Sequence, residues 1–539
     1  MRFLQAKIQN NIVESPFEEA TLEEKSIGEV LFTSLLKDPE NVCIICSETG
    51  RSLANKEIYD MSRKFGSCLV RKGFKVGDTL CISSSNVPEY VVAILGAIAV
   101  GGKIATSSPA YTVDELSRQL KETKPKFLIC EEMTYSVCAK AAEDTNIQEI
   151  FTFDKHGEVK CLAELIESED GSLFKLHQHE DLKNSVAAIL YSSGTTGAPK
   201  GTMLTHYNIV SNLLQINTNG QVRVTKGNTY FGLLPFFHSY GLFVVLLNCV
   251  YNSSRIVCYR NFMPTSFLEA ITKFKVTHLN VVPYLTIFLA KHPEVLKYDL
   301  SHVKSLINAA AALDATPPTL NALKKRLPNA LITQGFGMTE LAPVAHNHPE
   351  LGCEDINSVG YPVSRTQCKV IDIKTGETLS EGKKGELLVK GPQVMKGYLH
   401  NEEATAKTIN SDGWLHTGDV AYWDNEGKFF IVDRIKELIK YKGLQVSPTE
   451  LEKCLGGHPA IQDVGVVGIP DESRGELPAA AITLKPGYEE KVIEEEIHNY
   501  MAEKLSSHKQ LHGGIKFVKL IPRGTTGKLN RKEILACFK

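Results

Sequence analysis

The sequence predicts an α/β protein with a large N-terminal body of stacked α/β subdomains, a β-rich subdomain and a small α+β C-terminal domain. Short strand-like apolar runs alternate with helix-like segments over much of the chain, which is typical of α/β layers. The predicted strands include Thr79–Ser83, 126–130, 187–191, 255–259 and 278–282, and the predicted helices include 113–121, 208–216 and 264–274.

The pattern changes at Gly360, where closely spaced glycines separate short strand-like runs at Gly385–Lys390 and 428–432. This favours a β-rich subdomain that closes the N-terminal body. Beyond it, strands at 461–469, 479–484 and 515–520 with a helix at 491–505 fit a small α+β domain. Because 539 residues are too many for one ordinary core, we expect two domains, 1–433 and 434–539, with the boundary at Arg434-Ile435-Lys436.

Composition is that of an ordinary soluble globular chain, with 43% hydrophobic and 23% charged residues and a formal net charge of -2. This near-neutral charge gives no reason to expect binding to nucleic acid or to an anionic membrane surface.

The longest apolar stretches, 91–102 and 241–251, are shorter than the roughly 20 residues of a membrane-spanning helix. The N-terminus lacks the pattern of a secretory signal, and Ala536-Cys-Phe-Lys539 is not a Ser-Lys-Leu peroxisomal address. We therefore expect a cytoplasmic protein, although many relatives of the family that the motifs below resemble are peroxisomal; its oligomeric state stays open.

The thirteen cysteines are scattered along the chain. The one close pair, Cys43 and Cys46, lies in an apolar strand-like run and has no second Cys/His pair to complete a metal site. We therefore expect reduced core cysteines rather than structural zinc.

The most informative stretch is Tyr191-Ser-Ser-Gly-Thr-Thr-Gly-Ala-Pro-Lys-Gly201, which follows the apolar residues 186–190. Two glycines allow a tight backbone turn, four side chains donate from hydroxyls and one lysine adds positive charge, which together suit polyphosphate. These residues are Gly194, Gly197, Ser192, Ser193, Thr195, Thr196 and Lys200. The spacing differs from that of the common nucleotide loop, and the alternative is a flexible surface turn.

A second motif, Gln334-Gly-Phe-Gly-Met-Thr-Glu340, follows the apolar residues 330–332. Its aromatic side chain suits stacking on adenine, and its hydroxyl and carboxylate suit phosphate and magnesium. Alone, the motif could instead be the N-cap turn of a helix.

Three further motifs follow, each of which alone could be a surface turn or a solvated charged face. Gly413-Trp-Leu-His-Thr-Gly-Asp419 ends in a carboxylate that suits a ribose, and Asp433-Arg-Ile-Lys-Glu-Leu-Ile-Lys-Tyr-Lys-Gly443 is rich in cations. Pro522-Arg-Gly-Thr-Thr-Gly-Lys-Leu-Asn-Arg531 carries a lysine in a glycine-rich turn. A loop could bring that lysine into a distant active site.

The five motifs, in this order over residues 191–531, resemble the adenylate-forming superfamily, most closely its 4-coumarate–CoA ligase and luciferase branch. The resemblance implies a two-step reaction. A carboxylic acid attacks the α-phosphate of Mg·ATP to give an acyl-adenylate and pyrophosphate, and CoA then displaces AMP to give a thioester. It therefore implies ATP, Mg2+, coenzyme A and a small-molecule fatty or aryl acid as ligands.

The same resemblance implies roles for individual residues. Lys528 bridges carboxylate and α-phosphate, Thr195, Thr196 and Lys200 surround the β- and γ-phosphates, and Glu340 holds magnesium. Gln334, Gly335, Phe336 and Thr339 line the adenylate site, and Asp419 and Arg434 contact ribose. Lys436 lies at a hinge, and Lys440, Lys442 and Gly443 serve the thioester step after the small domain rotates. His238 lies beside the acyl carboxylate and Tyr240 in the acyl pocket.

Two positions depart from the family pattern. Phe336 replaces the usual tyrosine, which keeps a stacking face. Asn308-Ala-Ala-Ala-Ala-Leu313 replaces Ser-Gly-Ala-Ala-Pro-Leu or Ser-Gly-Gly-Ala-Pro-Leu, so Ala309 adds a methyl group and Ala312 loosens the turn. Because this loop, with Ala310, borders the acyl and adenine sites, we expect an acyl pocket shaped differently from that of plant hydroxycinnamate ligases.

Three alternatives to a CoA ligase stay open. A peptide-synthetase adenylation module should be followed by a carrier domain, whereas this sequence stops at Lys539. A luciferase-like oxygenase shares the first half-reaction, and Gly524-Thr-Thr-Gly527 is similar to the corresponding luciferase motif. A catalytically dead binding protein is disfavoured by the intact Lys528, Glu340 and Lys440.

Overall fold

A computed structural model describes residues 5–192, 199–260, 262–311, 317–350, 355–442, 444–471, 473–488, 490–524 and 527–538. The fold is mixed α/β, as the sequence predicts. The described residues form two sheets of seven strands, one sheet of six, one of five and one of three.

The first seven-stranded sheet carries the strand that leads into the Ser/Thr/Gly-rich loop. Its order is Gly397–Tyr398, Lys200–Thr205, Val186–Ser192, Lys103–Ser107, Thr79–Ser83, Phe127–Cys130 and Glu149–Thr152. Strands from Val186–Ser192 onward in this order are parallel, and Lys200–Thr205 pairs antiparallel with Val186–Ser192. The hairpin places Lys200 directly opposite Ser192.

The second seven-stranded sheet is parallel except at one edge. Its order is Leu331–Gln334, Ser305–Asn308, His278–Val281, Thr229–Gly232, Arg255–Cys258, Val42–Cys46 and Ser52–Ala54. Parallel strands end at a common edge, where the crevice beyond their carboxyl ends is the usual ligand site of α/β folds. Ala309 and Gly335 are the first residues after two neighbouring strands of this sheet.

The β-rich subdomain is an antiparallel six-stranded sheet. Its order is Lys7–Gln9, Ile12–Glu14, Gln367–Ile371, Gly385–Lys390, Leu415–Trp423 and Phe429–Arg434. The last two strands pair Asp419 with Arg434. A small sheet of Phe336–Gly337, Val344–Asn347 and Tyr361–Pro362 continues from the second seven-stranded sheet.

The C-terminal sheet contains Leu444–Val446, Ile439–Tyr441, Gly475–Leu484, Ile461–Asp471 and Ile515–Phe517. Apolar residues of this sheet and of the helices packed on it, including Val446, Leu451 and Ile497, form a cluster separate from the main core. A separate cluster is what an independently packed domain requires.

The α-helices cover the sheets, and the four predicted at 113–121, 208–216, 264–274 and 491–505 lie within two residues of those bounds. They are Ile27–Lys37, Asn55–Arg71, Tyr90–Ala99, Val113–Thr123, Tyr135–Ala142, Leu162–Glu167, His206–Gln215, Asn248–Tyr251, Pro264–Lys273, Pro283–Lys291, Pro317–Arg326, Glu402–Thr408, Pro448–Gly456, Glu490–Lys504 and Arg531–Ala536. Short 3-10 helices occupy Glu132–Thr134, Pro293–Lys297, Thr339–Leu341 and Ser507–Lys509, and a π-helix occupies Tyr240–Leu247.

The apolar stretch at 91–102 belongs largely to one buried helix. All ten residues of Tyr90–Ala99 are buried, and the helix packs against Asn55–Arg71 in the main core. A helix that is apolar on every side is buried on every side. Within the described ranges, no helix is both long and apolar enough to span a membrane.

The described cysteines are free, and ten of these twelve, Cys43 and Cys46 among them, are buried. Over the same ranges, no cluster of three His, Cys, Asp or Glu side chains has metal-site geometry. The burial agrees with the core assignment of Cys43 and Cys46.

Candidate active site

A cavity of about 620 Å³ opens at the carboxyl ends of the second seven-stranded sheet. The C-terminal turn and the β-rich subdomain contribute to its walls. It gathers twelve of the residues expected at the site: Lys200, His238, Tyr240, Ala309, Ala310, Gly335, Phe336, Thr339, Glu340, Arg434, Lys436 and Lys528.

The π-helix Tyr240–Leu247 forms one wall of this cavity. Its wider turn brings residues four apart to the same side, so Tyr240, Val244 and Asn248 all line the cavity. The helix can start here because Gly241 has no side chain: a Cβ would lie 2.2 Å from the carbonyl oxygen of Pro235. The hydroxyl of Tyr240 donates to the carbonyl of Ile307 at 3.3 Å, which ties the helix to the sheet.

His238 is held in a neutral state with a defined tautomer. The backbone N–H of Tyr240 donates to its Nδ1 at 3.4 Å, so the neutral ring carries its proton on Nε2. Burial lowers the pKa of His238 to about 4, and the nearby Lys528 acts in the same direction. The ring is therefore an uncharged hydrogen-bond donor at neutral pH.

Lys528 reaches the cavity from the C-terminal turn. A Cβ on the adjacent Gly527 would lie 3.1 Å from Cγ2 of Val282, so the turn sits over the end of the strand His278–Val281. Burial and then Arg434 lower the pKa of Lys528 to about 8, although nearby carboxylates, Asp419 first, oppose the shift. The ammonium stays mainly protonated at pH 7.

Asp419 and Arg434 form a buried ion pair on neighbouring strands. Nε of Arg434 lies 3.2 Å from Oδ1 of Asp419, whose side chain is 5% exposed. Burial raises the pKa of Asp419 to about 6, while Arg434 and then Lys528 oppose that rise. Asp419 is thus ionised at pH 7 and lies at the wall that Arg434 contributes.

Glu340 and Lys200 meet around one aromatic ring. The hydroxyl of Tyr398 donates to Oε1 of Glu340 at 2.9 Å, and Nζ of Lys200 lies 4.9 Å from the centre of the same ring. Glu340 lies in the 3-10 helix Thr339–Leu341. The hydroxyl of Thr339, at the start of this helix, lies 3.2 Å from the hydroxyl of Ser239. This end of the cavity therefore presents a carboxylate and a cation together.

The loop that begins at Gln334 is fixed by amide contacts. The buried Gln334 donates to the carbonyl of Ile356, and the backbone N–H of Gly335 donates to that of Asn308 at 2.9 Å. Phe336 packs edge-on against His346, with ring centres 5.6 Å apart. Ala310 has φ of 75°, the left-handed region that favours glycine.

Four predicted residues do not line the cavity. Gln334 and Asp419 are buried, each beside a lining residue: Gln334 precedes Gly335, and Asp419 pairs with Arg434. Lys440, on the strand Ile439–Tyr441, and Lys442, in the following turn, are exposed and do not line it. The structure therefore brings Lys528 into the site and leaves the two other lysines outside. Ser193, Gly194, Thr195, Thr196, Gly197, Ala312 and Gly443, with the side chain of Ser192, lie outside the described residues.

Sequence reasoning missed several cavity residues, among them Tyr398, Arg223, Asn248, His278 and Asn280. None belongs to a motif. A signal existed for one pair, because His278 and Asn280 are polar residues two positions apart in an otherwise apolar strand.

Comparison with known proteins identifies the family. The family described as AMP-binding enzyme matches residues 31–399, and the AMP-binding enzyme C-terminal domain matches residues 450–528. The first match covers more than half of the chain, which therefore belongs to the AMP-binding, adenylate-forming enzymes. The resemblance stated from the motifs is confirmed.

Individual relatives span nearly the whole chain. It is 36% identical to a probable 4-coumarate–CoA ligase 1 from Dictyostelium discoideum, over 96% of each protein. It is also 36% identical to a 4-coumarate–CoA ligase from Vanilla planifolia, over 94% of this chain and 92% of that protein. Among solved structures, ATP-bound MatB from Rhodopseudomonas palustris superposes with a TM-score of 0.85 at 26% identity, covering 96% of this chain and all of MatB.

Proposed function

We propose that this chain is an ATP-dependent carboxylic acid–CoA ligase that releases AMP and pyrophosphate. The observation that carries the proposal is the meeting of Lys528, His238, Glu340 and Arg434 in one cavity. The names of its relatives, 4-coumarate–CoA ligases that match it nearly end to end, support the same reaction class.

In the first step, a carboxylate oxygen of the acid attacks the α-phosphorus of ATP, and the bond to the β-phosphate breaks. Both reactants are anions, so the protein must supply positive charge and hold the two groups in line. Lys528 is the cation we assign to this role, since it lines the cavity and its turn lies over the carboxyl end of the strand His278–Val281. Nε2 of His238 donates to the second carboxylate oxygen without adding charge.

The phosphates occupy the end of the cavity with Lys200 and Glu340. Mg2+ in nucleotide sites uses one or two carboxylates plus phosphate oxygens and water, so the single carboxylate of Glu340 fits it. Oε1 of Glu340 accepts from Tyr398, and among the described residues none donates to Oε2, which stays free for a metal. When bound, Mg2+ neutralises phosphate charge.

The nucleoside is held by the loop that begins at Gln334 and by the ion pair. Gln334, Gly335 and Phe336 face the base, and the carboxylate of Asp419 accepts from the ribose hydroxyls. Arg434 keeps Asp419 ionised at neutral pH by opposing the effect of burial. The loop residues Thr195 and Thr196 add hydroxyls around the phosphates by family resemblance.

In the second step, the sulfur of CoA attacks the acyl carbon and AMP leaves with the bridging oxygen. We assign this step to a second arrangement, in which residues 434–539 rotate about Lys436 and bring Lys440, Lys442 and Gly443 to the cavity. The exposure of Lys440 and Lys442 outside the site, while Lys528 is inside, supports alternation between two faces of one domain.

The test is to incubate the protein with Mg·ATP, CoA and a panel of fatty and aryl acids and to identify products by mass spectrometry. We expect one class of acyl-CoA with an equal amount of AMP. AMP and pyrophosphate without thioester would indicate an adenylate-forming enzyme with another second half-reaction, as in a luciferase. ADP as the nucleotide product would overturn the proposal. The cytoplasmic location stays a prediction.

A further inference from the structure

His416 and Glu386 form a carboxylate–imidazole pair in the wall of the cavity, and neither has a role in the two reaction steps so far. Nδ1 of His416 lies 3.0 Å from Oε2 of Glu386, and both residues line the cavity. The backbone N–H of Gly418 donates to the other carboxylate oxygen, Oε1, at 3.1 Å. Because both oxygens of Glu386 are held, its carboxylate has a fixed orientation.

The pairing decides which nitrogen of the ring can accept a proton. A carboxylate only accepts hydrogen bonds, so Nδ1 of the neutral His416 ring carries the proton and donates it to Glu386. Nε2 is then a bare acceptor, and within the described ranges no residue donates to it. The side chain is 30% exposed, so a ligand can reach it. An imidazole oriented by a carboxylate in this way is suited to act as a base.

The other three histidines in the described cavity lining are poor bases. They are His238, His278 and His346. Burial lowers the pKa of His238 and of His278 to about 4, and the pKa of His346 to about 3. Groups with such low pKa values take a proton poorly from a thiol, whose own pKa is about 8.5.

Elements packed against the strand of His416 bring further charged groups to the cavity. The next strand contributes Arg434, and the helix Glu402–Thr408 contributes Glu403 and Lys407. Glu403 and Lys407 pair with each other at 2.6 Å, and Arg434 pairs with the carboxylate opposite it on its own neighbouring strand. Glu386 is therefore the carboxylate that orients His416.

The His416–Glu386 pair lies beside the proposed hinge. The carbonyl of Gly418, two residues after His416, accepts from the backbone N–H of Ile435 at 2.9 Å, and Ile435 adjoins Lys436. Both members of the pair precede the hinge in the sequence. They therefore remain in the cavity wall when residues 434–539 rotate, whereas Lys528 leaves.

The second face of the rotating domain has to arrive close to this pair. Lys440 follows Lys436 by four residues, and four residues span at most about 14 Å. The thioester step needs a base at that moment, because CoA arrives as a thiol and its sulfur must lose a proton to become a thioester. The mechanism needs a proton acceptor in the part of the wall that stays.

We propose that His416 is the general base of the thioester step. Nε2 of His416 accepts the proton of the CoA thiol, the sulfur forms its bond to the acyl carbon, and the bond from that carbon to the AMP oxygen breaks. Glu386 is the positioning residue, which orients the ring and stabilises its charged form until the proton passes to water. This inference rests on the proposed function and adds a catalytic residue to its second step.

The test measures the second half-reaction alone, from preformed acyl-adenylate and CoA, at several pH values. In His416→Gln, we expect the rate near pH 7 to fall about 10²-fold, the scale of a positioned general base. The loss should shrink as the pH rises towards about 8.5, because the CoA thiol then ionises without help. Pyrophosphate release in the first half-reaction should be unchanged. Glu386→Gln should cause a smaller loss with the same dependence on pH.

His156→Gln is the matched control. His156 also lies beside a glutamate, with Nδ1 3.5 Å from Oε1 of Glu132, but it does not line the cavity. This variant should keep both rates. A structural role for His416 predicts a loss that is the same at every pH, or an equal loss in both half-reactions, and either result would overturn the inference.

The wild-type protein decides if the variants do not fold. With a base at work, its second half-reaction should level off well below the pKa of the thiol. A rise of about 10-fold per pH unit up to that pKa, in proportion to the thiolate, would show that no base acts. A full rate in His416→Gln at pH 7 would refute only this inference. Absence of thioester from acyl-adenylate and CoA in the wild-type protein at every pH would refute the proposed function itself.

Discussion

The hydroxyl of Tyr398 donates a hydrogen bond to Oε1 of Glu340 at 2.9 Å, while its ring faces Nζ of Lys200. One tyrosine thus fixes both the carboxylate that we assign to the metal and a cation that we assign to the phosphates. Its hydrogen bond orients Glu340, and its ring attracts the ammonium of Lys200.

Tyr398→Phe tests this arrangement because it removes the hydroxyl and keeps the ring. We expect adenylation to fall about 10- to 100-fold, with a higher Mg2+ concentration needed for half-maximal rate. The measurement is pyrophosphate release at several Mg2+ concentrations. Tyr422→Phe, which retains stacking on Phe430 away from the cavity, is the matched control. A fall in rate with an unchanged Mg2+ dependence would contradict the assigned role.

Lys528→Ala separates the two half-reactions. We expect adenylation to fall by roughly 10²- to 10³-fold or more, the scale for removing one preorganised electrostatic group. Thioester formation from preformed acyl-adenylate should largely survive, since Lys528 acts in the first step. Lys532→Ala, an exposed lysine nearby, should change neither rate. Equal loss in both half-reactions would refute the assignment.

In a plot of the adenylation rate against pH, the decrease at high pH should follow the deprotonation of Lys528. The pKa of this lysine is lowered to about 8, so its charged form is present below that pH and lost as pH rises through it. The rate should therefore decline above pH 8. Lys528→Arg should be slower but should not decline there, because guanidinium stays protonated. An identical decline in the arginine variant would assign the decrease to another group.

Buried His206 makes stability depend on acid pH. Its Nδ1 accepts from the backbone N–H of Ile27 at 3.3 Å, and burial lowers its pKa to about 3. In the unfolded chain this histidine binds a proton near pH 6.5, whereas in the folded chain it stays neutral at that pH. The free energy of unfolding is therefore highest above pH 6.5 and decreases as the pH falls below it. Between pH 6.5 and 5 the loss is up to about 2 kcal/mol.

His206→Asn should reduce this dependence while keeping an acceptor for Ile27, and the other buried histidines, such as His238 and His278, should retain the remainder. The measurement is the midpoint of thermal unfolding between pH 7 and 5. The exposed His400 provides the control variant His400→Asn, which should retain the wild-type slope. A wild-type slope in His206→Asn would show that other groups set the acid sensitivity.

Ala309 tests the predicted change of pocket shape. Its side chain lines the cavity, and its backbone N–H donates to the carbonyl of Val281 at 3.0 Å. Ala309→Gly removes one methyl group, so the relative kcat/KM of bulky over slim acids should rise by about 10-fold. The measurement is acyl-CoA formation across the acid panel. An unchanged order of preference among the acids would refute the hypothesis that Ala309 alters the shape of the acyl pocket.

The sequence predicted the fold well because its strands and helices have clear local patterns. Thr79–Ser83 and Gly385–Lys390 begin and end where expected. A motif also led to Lys528, and the family resemblance led to His238. Tyr398 was missed, because its importance comes from contacts with Glu340 and the cavity that no local pattern encodes. The π-helix at Tyr240–Leu247 was missed too, since it depends on how Gly241 meets Pro235.

The central claim is that the acid is activated as an acyl-adenylate, and oxygen transfer tests it most directly. An acid labelled with oxygen-18 in both carboxylate positions is turned over with ATP and CoA, and AMP is analysed by mass spectrometry. The proposed reaction places one labelled oxygen in each AMP, because the bridging oxygen leaves with the phosphate. Unlabelled AMP would contradict it.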